Sequence, residues 1–116
     1  MKFFNIEKIC ETEAEIRKGL QFVTDFPSNG CCLFKFKSPR RLHFWGKDTF
    51  LPLAVLFIDE DYRIDSIGKI NPMDESPVSS DGPCIMAVEV KYGAASRGIK
   101  PGMNVSIRSG MVVVGS

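Results

Sequence analysis

Apolar and polar residues alternate along most of this chain, and the places where alternation fails mark its organisation. One run is apolar at every position, Val55-Leu56-Phe57-Ile58 within Leu53 to Asp59. Successive side chains of a strand point to opposite sides, so this run predicts a strand covered on both faces at the centre of a sheet. Pro52 precedes it, where a residue without an amide proton is tolerated. Asp59 to Tyr62 reads as a polar turn, and Arg63 to Ile70 sets Ile64 against Asp65 and Ile67 against Gly68, completing a hairpin. Lys2 to Ile9 and Cys31 to Lys37 read as further strands. Cys84 to Val90 places Cys84, Met86, Val88 and Val90 on one face and Ile85, Ala87 and Glu89 on the other. Ile99 to Gly102 is a tight turn, with Gly102 supplying the positive φ of a type II turn after Pro101. It leads into Met103 to Ile107. Met111 to Val114 is a last apolar stretch, expected as an edge strand or as a surface that docks on a partner.

Helix signals are confined to one place. In Thr12-Glu13-Ala14-Glu15 the hydroxyl and the carboxylate satisfy the free amides of a helix start. Gly19 suits the left-handed position that ends it, barely two turns later. Tyr92 to Gly98 allows one short helical turn. Thr24 to Asn29 reads as a loop, and Asn71 to Pro83 as the longest unstructured segment, a lid or a crossover. The expected fold is mainly β (α+β): a small barrel-like, mostly antiparallel sheet with one short N-terminal helix, forming a single domain over residues 1–116.

A chain of 116 residues removes about two-thirds of its unfolded surface from water without staples. Its formal net charge of +1 gives no global attraction to nucleic acid or anionic membrane. Lys35, Lys37, Arg40 and Arg41 come nearest to a basic stripe, and Ser38-Pro39 interrupts them. No run approaches the roughly 20 apolar residues that span a bilayer. MKFFNIEKIC lacks a signal peptide's apolar segment. The expectation is a soluble protein, cytoplasmic if this is its native beginning. Cys10, Cys31, Cys32 and Cys84 show no C-x-x-C spacing, and neighbouring strand positions send Cys31 and Cys32 to opposite faces. Four free, buried thiols are expected, with no disulfide, metal or cofactor.

The candidate chemistry lies in Leu42 to Thr49, which holds the only histidine and the only tryptophan. Read as a strand, Leu42 to Trp45 puts His43 and Trp45 on one face, which Lys47 joins if the strand continues past Gly46, with Asp48 and Thr49 in the turn beyond. An indole to stack on, a cation and hydrogen-bonding oxygens suit a binding patch. The alternative is that Trp45 fills core space, Lys47 pairs with Asp48 or with water, and Thr49 closes the turn. Glu89 breaks an otherwise apolar strand face. Such a carboxylate either pairs with an Arg or Lys, the more frequent outcome, or has a raised pKa suited to proton transfer. Arg17 is expected in a structural ion pair. No nucleophile elbow, phosphate-cradling loop, dinucleotide fingerprint or paired histidines are present.

Three functions stay open. The first is a non-catalytic small-molecule binding or accessory domain whose pocket is lined by His43, Trp45, Lys47, Asp48, Thr49 and Glu89. The second is an interaction or structural module, a homodimer among its forms. The third is an enzyme with Glu89 or His43 as acid or base.

The segment FW-G-KDT-x-x-PL-x-V-x-FID-x-D-x-x-I, Phe44 to Ile64, resembles the central signature of domain-of-unknown-function family 192, usually FWMKNT followed by PLDVxFLDxDGxI. Arg17 to Phe22 resembles that family's R-x-x-GLMF element, and Gly30 to Phe36 its GMLFxF strand. Ala87 to Gly93 and Gly98 to Gly102 resemble its VLExxxG and GIKxGD elements. The resemblance runs from about residue 11 to 107 and leaves 108–116 as a C-terminal extension. It implies a small, mainly β domain and no particular reaction. Gly46, Asp48 and Ala54 stand where the family usually has Met, Asn and Asp, so any site that used the last carboxylate is altered here. Tyr62 replaces the usual turn glycine, which argues against a turn with positive φ at that position.

Overall fold

In the computed structural model, which describes residues 1–116, nine strands and one helix follow the expected class. The order is β1 (Lys2–Cys10), α1 (Glu13–Lys18), β2 (Gly30–Arg40), β3 (His43–Phe44), β4 (Leu53–Ile58), β5 (Ile64–Ile70), β6 (Val78–Ser79), β7 (Cys84–Lys91), β8 (Asn104–Arg108) and β9 (Met111–Gly115). Seven strands form one sheet, β5-β4-β7-β2-β1-β9-β8, and β3 and β6 make a separate two-stranded ribbon. Within the main sheet only β1 and β2 run parallel, joined by the crossover that contains α1. The sheet curls into a half-barrel until its two edges meet at one end. There the Ile64 amide donates to Met103 O at 2.9 Å and the Gly102 amide to Ile64 O at 2.7 Å.

Curling gives the sheet two differently covered faces. The inner face gathers Phe4, Leu33, Leu56, Ile58, Val88, Val90, Val105 and Val112 into one core. The outer face gathers Cys32, Phe34, Leu53, Val55, Phe57 and Ala87, covered by Leu20 and Phe26 of the crossover and by Leu42. All six residues of β4 are buried and alternate between the two cores. The strand is covered on both faces as its apolar run requires, although it lies next to the β5 edge and β2 occupies the middle of the sheet.

The capping box at Thr12 is formed: the Glu15 amide donates to Thr12 Oγ1 at 3.1 Å and the Thr12 amide to Glu15 Oε1 at 3.0 Å. No residue of this helix is fully buried, so it rests on the sheet through half-buried Ile16.

Several expectations are revised. Met111–Gly115 is no edge: β9 sits between β1 and β8, with Val112, Val113 and Val114 buried, so this stretch is not free to dock a partner. Asn71 to Pro83 is tied down, since β6 pairs with β3 and the Met73 amide donates to Thr49 O at 3.0 Å. Tyr92 to Gly98 forms turns and no helix. Tyr62 does adopt a positive φ, +58. Asp59 makes this bearable by accepting the Asp61 and Arg63 amides on one carboxylate oxygen, at 2.9 and 3.1 Å, an aspartate turn that needs no glycine. Cys84 packs in the outer core instead of beside Met86, where the pairing of β2 with β7 is irregular between Lys35 and Arg40.

Candidate functional site: a cleft over Glu89

Strand alternation on β7 sends Val88 and Val90 inward and Ala87 and Glu89 outward. Glu89 therefore enters the outer core, flanked in register by Cys32 of β2 and Val55 of β4. Its side chain is 4% exposed, and Oε1 has no hydrogen-bond partner. Burial pushes its pKa up to about 8; the Cys10 thiol adds to the rise and Lys8 opposes it. Taking a carboxylate out of water disfavours its charged form, so Glu89 holds its proton at neutral pH. The expected pairing with Arg or Lys is absent. Lys8 Nζ donates to Gly19 O at 2.7 Å, and Arg17 faces Glu13 at 3.8 Å on the exposed side of the helix.

Gly19 lets the main chain pass over this carboxyl. Its φ of +47 is positive as expected for a helix end, but ψ is −122, outside the left-handed helical region. A Cβ there would lie 3.3 Å from Phe34 Cζ, close enough to press on that ring, and in ordinary contact with Glu89 Oε1 at 3.8 Å. Between the end of α1 and β3 the cover parts into a cleft of about 230 Å³. Ile16, Leu20, Phe34, Phe44 and Trp45 supply its apolar walls, and Arg17, Lys18, Gln21, His43, Thr49 and Glu89 its polar groups.

Of the six residues singled out in the sequence, His43, Trp45, Thr49 and Glu89 line this cleft, whereas Lys47 and Asp48 do not. The strand ends at Phe44, and Gly46 turns the chain away before Lys47 can continue the row. A side chain at 46 would collide with the carbonyl oxygen of Asn71, and the Gly46 amide donates to Asp74 O at 2.6 Å. Lys47 folds back, its Nζ 5.4 Å from the centre of the Trp45 ring. Asp48 takes φ +52, and its carbonyl accepts the Phe22 amide at 2.8 Å. Trp45 is 41% exposed, while Thr49 is buried and donates to Lys47 O at 3.1 Å. His43 Nδ1 lies 2.6 Å from Ser79 Oγ across the ribbon.

Residues 16 to 21 join the cleft because the parallel crossover returns over the outer face, a long-range arrangement that alternation does not reveal. A trace was present in the sequence all the same. Arg17 to Gln21, Phe34, Phe44 to Thr49 and Glu89 belong to four separate motifs, and those motifs meet here.

Behind the cleft, Cys10 Sγ and Cys32 Sγ are 3.6 Å apart, and all four cysteines are free and buried. Burial pushes Cys31 up to about 12 and Cys84 up to about 11; thiols so placed are inert. No three His, Cys, Asp or Glu side chains converge as a metal site would require. No helix is long and apolar enough to cross a membrane.

A family model, DUF192, described as an uncharacterized ACR, matches residues 3–107, taking in β1 as well as the motif-bearing segments. Among solved structures, a protein of unknown function from Novosphingobium aromaticivorans is 35% identical, with a TM-score of 0.84, over 90% of this chain and 75% of that one. A protein from Sinorhizobium meliloti described as a putative transcription regulator is 29% identical, with a TM-score of 0.79, over 85% of this chain and 78% of that one. No curated protein matches the chain.

Proposed function

The chain belongs to the DUF192 family, and from that premise we propose that it is a non-catalytic small-molecule binding domain whose ligand sits in the cleft over Glu89. The observation that carries this reading is Glu89 Oε1, buried and without a partner on the cleft wall. A buried polar group left unsatisfied costs about 1–3 kcal/mol, and folds keep such a group where something else completes its hydrogen bonds. Apolar walls with a few convergent polar groups are the usual make-up of a ligand site. Trp45, half in water at the mouth, offers a flat surface to an entering molecule.

A proton-transfer role for Glu89 has its raised pKa in favour. It lacks a companion open to the cleft: His43 Nδ1 is engaged by Ser79 at the rim, and the thiols nearest the carboxyl, Cys10 and Cys32, are buried and do not line the cleft. The regulator description of the Sinorhizobium structure is not carried over, because two of the four residues nearest to a basic stripe make contacts within the fold. Arg40 stacks 4.9 Å above the Phe36 ring, and Arg41 Nε donates to Ser80 O at 2.8 Å.

The test is amide and indole chemical-shift mapping of the 15N-labelled protein against a library of small fragments. Binding should move Trp45, His43 and Glu89 together and should be lost in Glu89→Ala, with that variant's spectrum otherwise unchanged. Hits that cluster elsewhere, or that survive the substitution, contradict the reading.

A further inference from the structure

We infer that the ligand is a small organic carboxylate with an apolar body, whose anionic head accepts a hydrogen bond from the Glu89 carboxyl and is drawn in by Arg17 and Lys18 at the mouth. This rests on the proposed binding role of the cleft and names the chemistry of its occupant. Three observations on the site converge on it.

Glu89 is the only carboxyl among the lining residues, while Arg17, Lys18 and His43 supply every other ionisable group there. The mouth thus favours an anion over an amine. The groups that act on Glu89 are Cys10 and Lys8 of β1; Cys32 of β2 lies beside it in register, and the helix-end cations Arg17 and Lys18 line the same cleft. None of them is a carboxylate that would compete for its proton.

Geometry supplies the second observation. Oε1 is buried and unpartnered, so a neutral carboxyl stands ready to give one hydrogen bond and take another. A ligand carboxylate satisfies the donor, and a hydrogen bond to an ionised acceptor is about twice as strong as one between neutral groups. The proton stays between two oxygens and no bond is made or broken.

The third is the wall chemistry. Ile16, Leu20, Phe34 and Phe44 form an apolar side of the cleft beside which a ring or branched hydrocarbon fits, while the polar groups Gln21, His43 and Thr49 lie among the other lining residues. Phe44 already stacks edge-on against Phe34, their ring centres 4.9 Å apart.

The experiment compares benzoate, benzamide and benzylamine, matched in shape and differing in charge, by the shift of the Trp45 indole N–H at pH 7 and pH 9. Benzoate should bind best at pH 7. Its affinity should fall about tenfold by pH 9 as Glu89 loses its proton, since one pKa unit corresponds to a tenfold change in protonation. In Glu89→Gln the side-chain amide still donates, so benzoate binding should survive within a few-fold and lose its dependence on pH. Benzylamine binding that strengthens with pH, or benzamide binding as tight as benzoate, overturns the carboxylate assignment and leaves the binding reading standing. If none of the three moves the indole signal, the carboxylate assignment falls, and the binding reading is decided by the fragment mapping.

Discussion

The inner and outer faces of the curled sheet are lined by the same strands in alternation, yet only the outer one holds a carboxyl group. The inner core is closed by the sheet curling on itself and contains apolar side chains and one thiol, Cys31. The outer core is closed by a patch of crossover and ribbon, and through that patch Glu89 meets a cleft. A face sealed by strands has no way to admit a ligand. A face sealed by residues 16–26 and 42–49 can open locally, because these covers hold few sheet hydrogen bonds of their own.

The sharpest way to break the comparison is to truncate one leucine on each side. Leu56→Ala in the inner core should cost about 2–5 kcal/mol in denaturant unfolding, since the surrounding strands cannot collapse into the hole. Leu20→Ala in the outer cover should cost less, about 2 kcal/mol, because a short cover relaxes more easily. Equal costs would show that the two covers are equally rigid.

Next in size is the dependence on pH. Glu89 has a native pKa of about 8, above its ordinary 4.5, so between these values the folded state binds more protons than the unfolded one. Its contribution is complete below about pH 4.5 and is lost as pH rises through 8, a fall of at most about 5 kcal/mol. Glu89→Gln should abolish that slope and be more stable than the parent at pH 9. A parent whose stability stays flat from pH 5 to 8 would place an unrecognised partner on the carboxyl.

Gly46→Ala tests the joint between the ribbon and the 71–74 turn. Its methyl has no room beside the Asn71 carbonyl, so the turn must shift, at a cost of about 1–3 kcal/mol. Loosening this joint should move the Trp45 and Thr49 amide signals while leaving those of β1, β8 and β9 in place. Smallest is the double change Lys47→Ala with Asp48→Ala, on a turn outside the cleft. Stability should alter by less than about 1 kcal/mol, and a larger loss would mean that the turn supports the outer cover.

The inner face was legible in the sequence because alternation is local: Val55 to Ile58 announced a strand buried on both sides, and Val88 and Val90 announced its neighbour. Glu89 was legible as an interruption of that pattern. Its solitude was not, since the places of Lys8 and Arg17 depend on a parallel crossover that brings residues 16–21 back over β7. Lys47 was assigned by extending a strand past Gly46, with Asp48 in the turn beyond, and a glycine within an apparent strand signalled the break. Tyr62 showed that the absence of glycine does not forbid a positive φ when an aspartate three residues earlier holds the turn. Met111 to Val114 looked unpartnered because both its neighbours, β1 and β8, are distant or short.

The most direct measurement is the pH titration of the Glu89 side-chain carboxyl carbon by 13C NMR in the ligand-free protein. A midpoint near pH 8, with the Trp45 indole signal following the same curve, is the behaviour of a buried, unpaired acid on the wall of an open cleft. A midpoint near the ordinary glutamate value of 4.5 would mean that Glu89 is ionised and already satisfied, and the cleft would have no proton to offer a ligand.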